Sequence, residues 1–171
     1  MMKNLILLLT ILSFSAVNAQ AYIGKEDNKF QVGANLQKNG TGINLSYDYG
    51  IGENISIGVS TTYLLGVNDA LKNTGNDDLD AGFGDRFDVR ARFNANLGNV
   101  INVDENFDVY PGLSLGLKNF GGHLGARYFF SEGFGLYTEL NAPFAKYSEP
   151  SNAPETLHNQ FTVNLGAVFN L

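Results

Sequence analysis

Apolar and polar residues alternate along most of this 171-residue chain. Successive side chains of a β-strand point to opposite faces, so a period of two indicates strands with one apolar and one polar face. The pattern recurs in eight segments, which are residues 30–37, 43–49, 55–63, 87–95, 107–117, 124–130, 136–142 and 161–171. We therefore predict an all-β protein built from eight antiparallel strands.

The composition excludes several classes of protein. The chain has no cysteine, which rules out a disulfide scaffold, a zinc ribbon and a thiol nucleophile. Its 17 acidic residues outnumber its 11 basic residues and no basic cluster is present, so no nucleic-acid partner is expected. Hydrophobic residues make up 44% and charged residues 16% of the chain, which is enough apolar material for a folded protein.

Residues 1–19 have the features of a secretory signal peptide. A lysine at position 3 is followed by an almost unbroken apolar run over residues 5–17, and Val17 and Ala19 place small residues at a cleavage site. The run is shorter than the ~20 residues that a membrane-spanning helix needs. We predict cleavage after Ala19, a short periplasmic segment over residues 20–29, and a barrel over residues 30–171 without a helical anchor.

The predicted connections differ in length. Four of them are short and rich in Gly, Asn, Ser or Glu, as hairpin turns are. These are residues 38–41, 50–54, 119–122 and 131–133. Only residues 66–85 and 144–159 form long connections, and an up-and-down order of strands brings both to the same end of the sheet. Pro111 lacks the N–H that a strand ladder uses, so a bulge there, or a fifth strand that begins later, is expected.

The composition of the two faces distinguishes a membrane barrel from a soluble one. The polar face carries Gly, Asn, Ser and Thr, which suit the narrow interior of an eight-stranded barrel. Its few charges nearly balance, as expected where charges neutralise one another in a confined space. These predicted interior charges are Asp48, Asp88, Arg90, Arg92, Asp108, Arg127 and Glu139. The apolar face has no charged residue in any predicted strand, so it can face lipid.

Aromatic residues near the strand ends agree with this arrangement, because transmembrane barrels carry aromatic girdles at both membrane interfaces. These residues are Tyr47, Tyr49, Tyr63, Phe107, Tyr128, Phe130, Phe134 and Phe169. Only helices and closed barrels satisfy all backbone hydrogen bonds within hydrocarbon. We therefore predict an eight-stranded antiparallel up-and-down transmembrane β-barrel.

The C-terminal residues 164–171, Asn-Leu-Gly-Ala-Val-Phe-Asn-Leu, resemble the terminal strand of small eight-stranded outer-membrane barrels of Gram-negative bacteria, of the OmpA, OmpX and OmpW type. The turn Ser131-Glu132-Gly133 and its aromatic flanks also resemble the periplasmic turns of this group. The resemblance implies a monomeric, porin-like outer-membrane protein that contacts lipid and lipopolysaccharide. It also implies an assembly signal, read by the barrel-assembly machinery, at Asn164, Gly166, Phe169 and Leu171. The group usually ends in Phe, whereas this chain ends in Leu171.

The sequence gives little support for an enzyme or for a cofactor. The two histidines are His123, expected at the rim of the sixth strand, and His158, expected in the second long loop, and neither lies in a catalytic motif. Both are interpreted as polar residues of the rim. Residues 73–80 cluster carboxylates and amides, which calcium prefers, but they lack the spacing of a calcium-binding loop. A solvated acidic loop is predicted, and loose binding of a cation against lipopolysaccharide phosphates stays open.

Three functional hypotheses follow. The first is a non-enzymatic outer-membrane barrel with a structural role or a role in surface interactions, whose external loops contact a ligand or lipopolysaccharide. The second is a periplasmic or secreted soluble barrel, with its faces reversed and a small apolar ligand inside. The third is an outer-membrane enzyme that modifies lipids.

Overall fold

The computed structural model describes residues 20–72, 80–148 and 154–171. Eight strands form one closed barrel in the order β1 to β8, and each strand is antiparallel to its neighbours in sequence. β8 pairs with β1 and closes the barrel. The strands are β1 Asn28–Gln37, β2 Gly40–Gly50, β3 Ile55–Val67, β4 Phe87–Ala95, β5 Phe107–Gly116, β6 Asn119–Ser131, β7 Phe134–Lys146 and β8 Thr162–Asn170. The predicted up-and-down barrel is confirmed.

Short helices occur only between strands in the described part of the chain. A 3-10 turn at Asp69–Leu71 and helix α1 at Phe83–Arg86 lie between β3 and β4, and helix α2 at Gly98–Ile101 lies between β4 and β5. A second 3-10 turn, Pro154–Thr156, precedes β8. Within the three described ranges, no helix has the length and apolar character needed to cross a membrane.

The antiparallel order gives the barrel two different ends. The terminal end carries both ends of the described chain, the β2–β3 and β6–β7 turns, and the connection over residues 96–106. The loop end carries the β1–β2 and β5–β6 turns and the two connections that contain the 3-10 turns. The expectation of only two long connections is wrong, because residues 96–106 form a third one that includes α2.

The predicted position of the turn between β5 and β6 is also wrong. Residues 119–122 belong to β6, and the turn consists of Leu117 and Lys118. Gly121 and Gly122 resemble turn residues in sequence, but they pair with Ser114 and Leu113 of β5. Glycine within a strand of the barrel wall therefore produces the same sequence pattern as glycine in a turn.

Pro111 causes neither a bulge nor a late start of β5. It pairs with Leu124 of β6, and the β5–β6 register runs through it without a shift. On the other side, the ladder with β4 ends at the pair Asn94 and Gly112. The same register continues beyond Pro111, because Leu97 N donates to Val109 O at 2.9 Å. Pro111 therefore removes one hydrogen bond from the β4–β5 ladder and leaves the alignment of the strands intact.

The two faces of the barrel wall are chemically opposite. Apolar strand residues such as Ile57, Leu115 and Phe130 are about half exposed on the outside. Among the exposed residues of the described strands, Lys146 at the loop end of β7 is the single charged one. Charged and amide side chains fill the inside. The interior of the barrel is therefore polar, which is opposite to the apolar interior required by the alternative of a barrel with a small apolar ligand inside.

Candidate functional site

An ion-paired layer crosses the middle of the barrel interior. Arg92 of β4 lies between two carboxylates, with Nε 3.1 Å from Asp48 Oδ1 and Nη2 2.6 Å from Glu139 Oε2. The three residues come from β4, β2 and β7, and all are at most 5% exposed. Their side chains point inward because each residue occupies one of the alternating polar positions of its strand. One guanidinium thus ties together three strands across the lumen.

A second ion pair lies nearer the terminal end. Arg127 Nη2 donates to Asp108 Oδ2 at 2.7 Å and to Asn96 Oδ1 at 2.8 Å. The guanidinium also lies 4.8 Å from the centre of the Tyr110 ring, within range of a cation–π interaction. Asp108 Oδ1 accepts a hydrogen bond from Gly98 N at 2.8 Å, which attaches α2 to the barrel.

Glycine makes room for the large interior rings. A Cβ atom at Gly125 would lie 2.0 Å from the Tyr110 ring, and one at Gly112 would lie 2.3 Å from His123 Nε2. Both distances are far shorter than any van der Waals contact. Tyr110 and His123 can therefore extend across the lumen only because the facing positions carry no side chain.

A third ion pair lies near the loop end. Arg90 Nε is 2.5 Å from Asp88 Oδ2, and its Nη2 donates to the carbonyl of His158 at 3.0 Å. The structure therefore places all the predicted interior charges inside the barrel, in three separate layers. Sequence alone gives their common face, but not which arginine pairs with which carboxylate.

The segment before β1 closes the terminal end, which the sequence does not predict. Tyr22 is 2% exposed and its hydroxyl donates to the carbonyl of Ile55 at 2.7 Å. Burial, followed by the charge of Asp27, raises the pKa of Tyr22 to about 12. Lys29 pairs with Asp27 beneath this ring, and both are buried. Side chains two residues apart in a strand share a face. Extending the alternation from Gln31 back to Lys29 would have placed Lys29 on the interior face.

His158 closes the loop end in a similar way. It is 2% exposed, so its assignment as a polar rim residue is wrong. Its backbone N donates to Gln37 Oε1 at 2.8 Å, and its ring Nε2 lies 2.9 Å from the carbonyl of Arg86. Burial lowers the pKa of His158 to about 4, so its ring is neutral at pH 7. Its backbone has a φ of 64°, which is the left-handed conformation.

Apolar packing supports this closure. Leu157 is fully buried and clusters with Leu64, Val67, Leu71 and Ala81, which come from β3 and the β3–β4 connection. The two long connections of the loop end are therefore packed against each other. The sequence signal for this contact is weak, since one leucine in a polar loop is common.

His123 lies inside the barrel and not at its rim. It is 7% exposed, and its Nε2 is 2.7 Å from Asn94 Oδ1 and 3.5 Å from Arg92 Nη2. The prediction of a rim position fails because β6 begins earlier than the sequence suggests. A histidine in this place packs within the ion-paired interior and has no path to lipid.

Little space remains between these layers. The cavity beneath His158, lined by Asn35, Asn44, Thr62 and Asn141 among others, has an accessible volume of about 10 Å³. That is room for about one water molecule. The described charged and amide side chains therefore leave little open space at this level, and Tyr22 and His158 are buried at the two ends.

The four residues of the expected assembly signal occupy β8 and the chain end. Asn164 points inward and its Nδ2 donates to Glu139 Oε1 at 3.3 Å, while Gly166 pairs with Gly33. Phe169 lies on the outer face between Phe30 and Phe134, and Leu171 is 74% exposed. Their recognition by assembly machinery stays a prediction. Most of the acidic loop over residues 73–80 lies outside the described residues; only Asp80 is within them.

A model of a family of unknown function, DUF6646, matches residues 12–171. The chain belongs to this family. No curated protein matches the sequence of this family member.

Two solved structures show the same fold. One comes from the de novo design of transmembrane β-barrels, with a TM-score of 0.56 and 10% identity, and the match covers 86% of this chain and 97% of that one. The other is the N-terminal β-barrel domain of OprF from Pseudomonas aeruginosa, with a TM-score of 0.52 and 11% identity, covering 86% and 99%. The family member thus has the fold of small transmembrane barrels, as the sequence resemblance predicted.

Proposed function

We propose that the protein is an integral outer-membrane barrel with a closed interior, exported by a cleaved signal peptide and acting through its loop end at the cell surface. The observation that carries this proposal is the outer face. Its exposed strand residues are apolar or small and uncharged, except for Lys146 at one end. An apolar patch of that extent on a soluble monomer is rare, whereas lipid requires it.

Aromatic residues support membrane insertion. At the terminal end, Phe30, Phe169, Phe134, Phe130 and Tyr128 form an unbroken chain of ring contacts, with centroids 5.4–6.5 Å apart. Aromatic girdles of this kind lie at membrane interfaces. At the loop end, Tyr63, Phe83 and Phe87 form a second group.

The direction of insertion follows from the topology. Bacterial barrels of even strand number keep both chain ends and their short turns in the periplasm. The terminal end then faces the periplasm, and the loop end faces the exterior. Lipid and lipopolysaccharide are the proposed surroundings of a monomeric barrel, and the barrel-assembly machinery is the proposed partner during insertion.

A non-enzymatic role is also proposed. Both histidines are buried and held by hydrogen bonds within the barrel, so neither is placed to reach a substrate. A lipid-modifying enzyme that used His123 would need this residue within reach of lipid, whereas His123 lies inside the barrel.

Membrane insertion is tested by a charge on the outer face. Leu140 is 41% exposed at the centre of β7, and Val103 is 75% exposed in the β4–β5 connection. Leu140→Arg should destabilise the barrel by about 2–4 kcal/mol in lipid vesicles, because its charge enters the middle of the hydrocarbon. Val103→Arg is the matched control and should change the free energy of unfolding by less than about 0.5 kcal/mol.

Two measurements decide between the hypotheses. Urea unfolding in lipid vesicles reports the free energies, and cell fractionation reports the location. The native protein should sediment with the outer membrane and leave it only in detergent. Recovery of native protein from the periplasm without detergent, together with unchanged stability of the Leu140→Arg variant, would contradict the proposal.

A further inference from the structure

A groove on the loop end is formed by three separate connections. It has a volume of about 260 Å³, and its walls include Asp85, Leu117, Lys118, Tyr147, Glu155 and Asn159. Asp85 belongs to α1, Leu117 and Lys118 to the β5–β6 turn, and the remaining residues to the β7–β8 connection. Known pockets for drug-sized ligands have volumes of about 300–1,000 Å³, so this groove fits a smaller ligand of one or two rings.

The walls of the groove are held in place by hydrogen bonds. Asp85 Oδ2 accepts from Gly82 N at 2.9 Å, and Tyr147 N donates to the carbonyl of Lys118 at 3.2 Å. Asn159 Oδ1 accepts from Asn119 Nδ2 at 2.8 Å, which fixes the third wall to β6. The groove therefore exists before any ligand arrives, which reduces the entropy cost of binding.

The groove offers both apolar faces and hydrogen-bonding groups. Tyr147 is 53% exposed and Leu117 is 65% exposed, so each presents an apolar surface to solvent. Lys118 also lines the groove and is only partly exposed. Its Nζ donates to the carbonyl of Asp85 at 2.9 Å, and an ammonium group has three donors.

The charges of the groove disfavour anionic ligands. Asp85 and Glu155 contribute two negative charges and Lys118 contributes one positive charge. The excess of negative charge repels an anion such as phosphate. Burial removes water from the Lys118 ammonium group and so lowers its pKa.

We propose that this groove binds a neutral sugar residue, with a face of the sugar ring on Tyr147 and its hydroxyl groups on Lys118 and Asp85. A sugar ring combines an apolar face with hydroxyl groups that both donate and accept, which matches these walls. The inference rests on the proposed function, because the groove meets surface glycans only if the loop end faces the exterior. The sugar can belong to the surface lipopolysaccharide or to a free oligosaccharide.

The test uses the full-length mature protein folded in detergent micelles. Calorimetry would measure binding of maltose, of chitobiose, of delipidated lipopolysaccharide core oligosaccharide and of inorganic phosphate. At least one saccharide should bind, and phosphate should not. Tyr147→Ala and Lys118→Met should each weaken saccharide binding at least tenfold, while Tyr147→Phe should keep most of it.

Lys38→Met is the matched control, because Lys38 is an exposed lysine of the β1–β2 turn at the same end, outside the groove. It should bind saccharides as the native protein does. Preference for the core oligosaccharide would identify lipopolysaccharide as the source, and preference for the disaccharides would identify a free glycan.

Several results would overturn the inference. They are the absence of saccharide binding, binding of phosphate alone, and equal binding by the Tyr147→Ala and native proteins. Folding of each variant is checked by circular dichroism. Because binding is measured in detergent, it does not depend on location, and cell fractionation tests the proposed outer-membrane location separately.

Discussion

Arg127 shows how single residues hold this barrel together. Its guanidinium bonds to Asp108 and Asn96 and lies on the Tyr110 ring, all within a region that excludes solvent. A buried ion pair adds little net stability compared with an apolar pair, but the loss of one partner leaves a charge in a medium of low dielectric constant. The interior charges are therefore tolerated when they are paired, and each one destabilises the barrel when its partner is lost.

Arg127→Ala should reduce the free energy of unfolding by about 3–5 kcal/mol, because Asp108 would keep its buried charge without a partner. The double change Arg127→Ala with Asp108→Ala should recover a substantial part of that loss. Urea unfolding in lipid vesicles measures both. Lys146→Ala, at the exposed end of β7, serves as the control. A single variant as stable as the native protein would show that the pair does not contribute.

His158 predicts a dependence on pH. The groups that act on its ring are Asp88, Arg90, Lys118 and the carbonyl of Arg86. Its pKa falls from 6.5 to about 4 on folding, so the unfolded chain takes up a proton at a higher pH than the folded chain. Its contribution to stability is complete above pH 6.5 and decreases as the pH falls towards 4, by at most roughly 3 kcal/mol.

This dependence is measured by comparing the native protein with His158→Gln between pH 7.5 and 3.5. The difference in unfolding free energy between the two should shrink as the pH falls through that interval, because glutamine does not titrate. A constant difference across the range would show that the buried imidazole does not control the stability of the loop end.

At the level of elements, alternation predicts the eight strands and their faces because a barrel wall repeats one simple environment. The alternation pattern is ambiguous at glycine, which occurs both in turns and within strands. Gly121 and Gly122 look like a turn but belong to β6, and the same error moves His123 to the rim. The closures by Tyr22 and His158 cannot be predicted from periodicity, since they depend on irregular segments that fold back onto the barrel.

The segment before β1 is a small element packed on the terminal end of the barrel. Tyr22→Ala should loosen residues 20–27 while the strands stay folded, because it removes a buried ring and the hydrogen bonds of its hydroxyl group. Tyr22→Phe should have a smaller effect of about 1 kcal/mol, from the loss of hydrogen bonds to Ile55 and Gly52. Hydrogen exchange at the amides of Ala21 and Asp27 measures this loosening. Unchanged protection in Tyr22→Ala would contradict it.

For the whole molecule, the filled lumen distinguishes a barrel from a pore. The Arg92 layer, the Arg127 layer and the two end closures lie in series along the interior, so a solute would have to break all of them. An eight-stranded barrel has an interior just wide enough for its side chains. The fold and the filled interior thus agree with the proposed role, and neither requires transport.

Purified protein in planar lipid bilayers should therefore show no steady conductance. The Tyr22→Ala variant should also be silent, because the Arg92 and Arg127 layers stay in place when the terminal end opens. Single-channel recording at matched protein amounts measures both, and insertion is confirmed by protease protection. Stable channels in the native protein would show that the interior opens in the membrane.

The shared guanidinium of Arg92 also has a consequence for how the family can diversify. Because Arg92 contacts Asp48 and Glu139 together, a substitution that changes the charge at any one of the three positions disturbs the pairing of the others. Related chains should therefore change these positions as a group, whereas an outer-face position such as Leu115 can exchange one apolar residue for another independently. Interior residues of the wall would then change together, whereas exterior residues of the same wall would change one at a time.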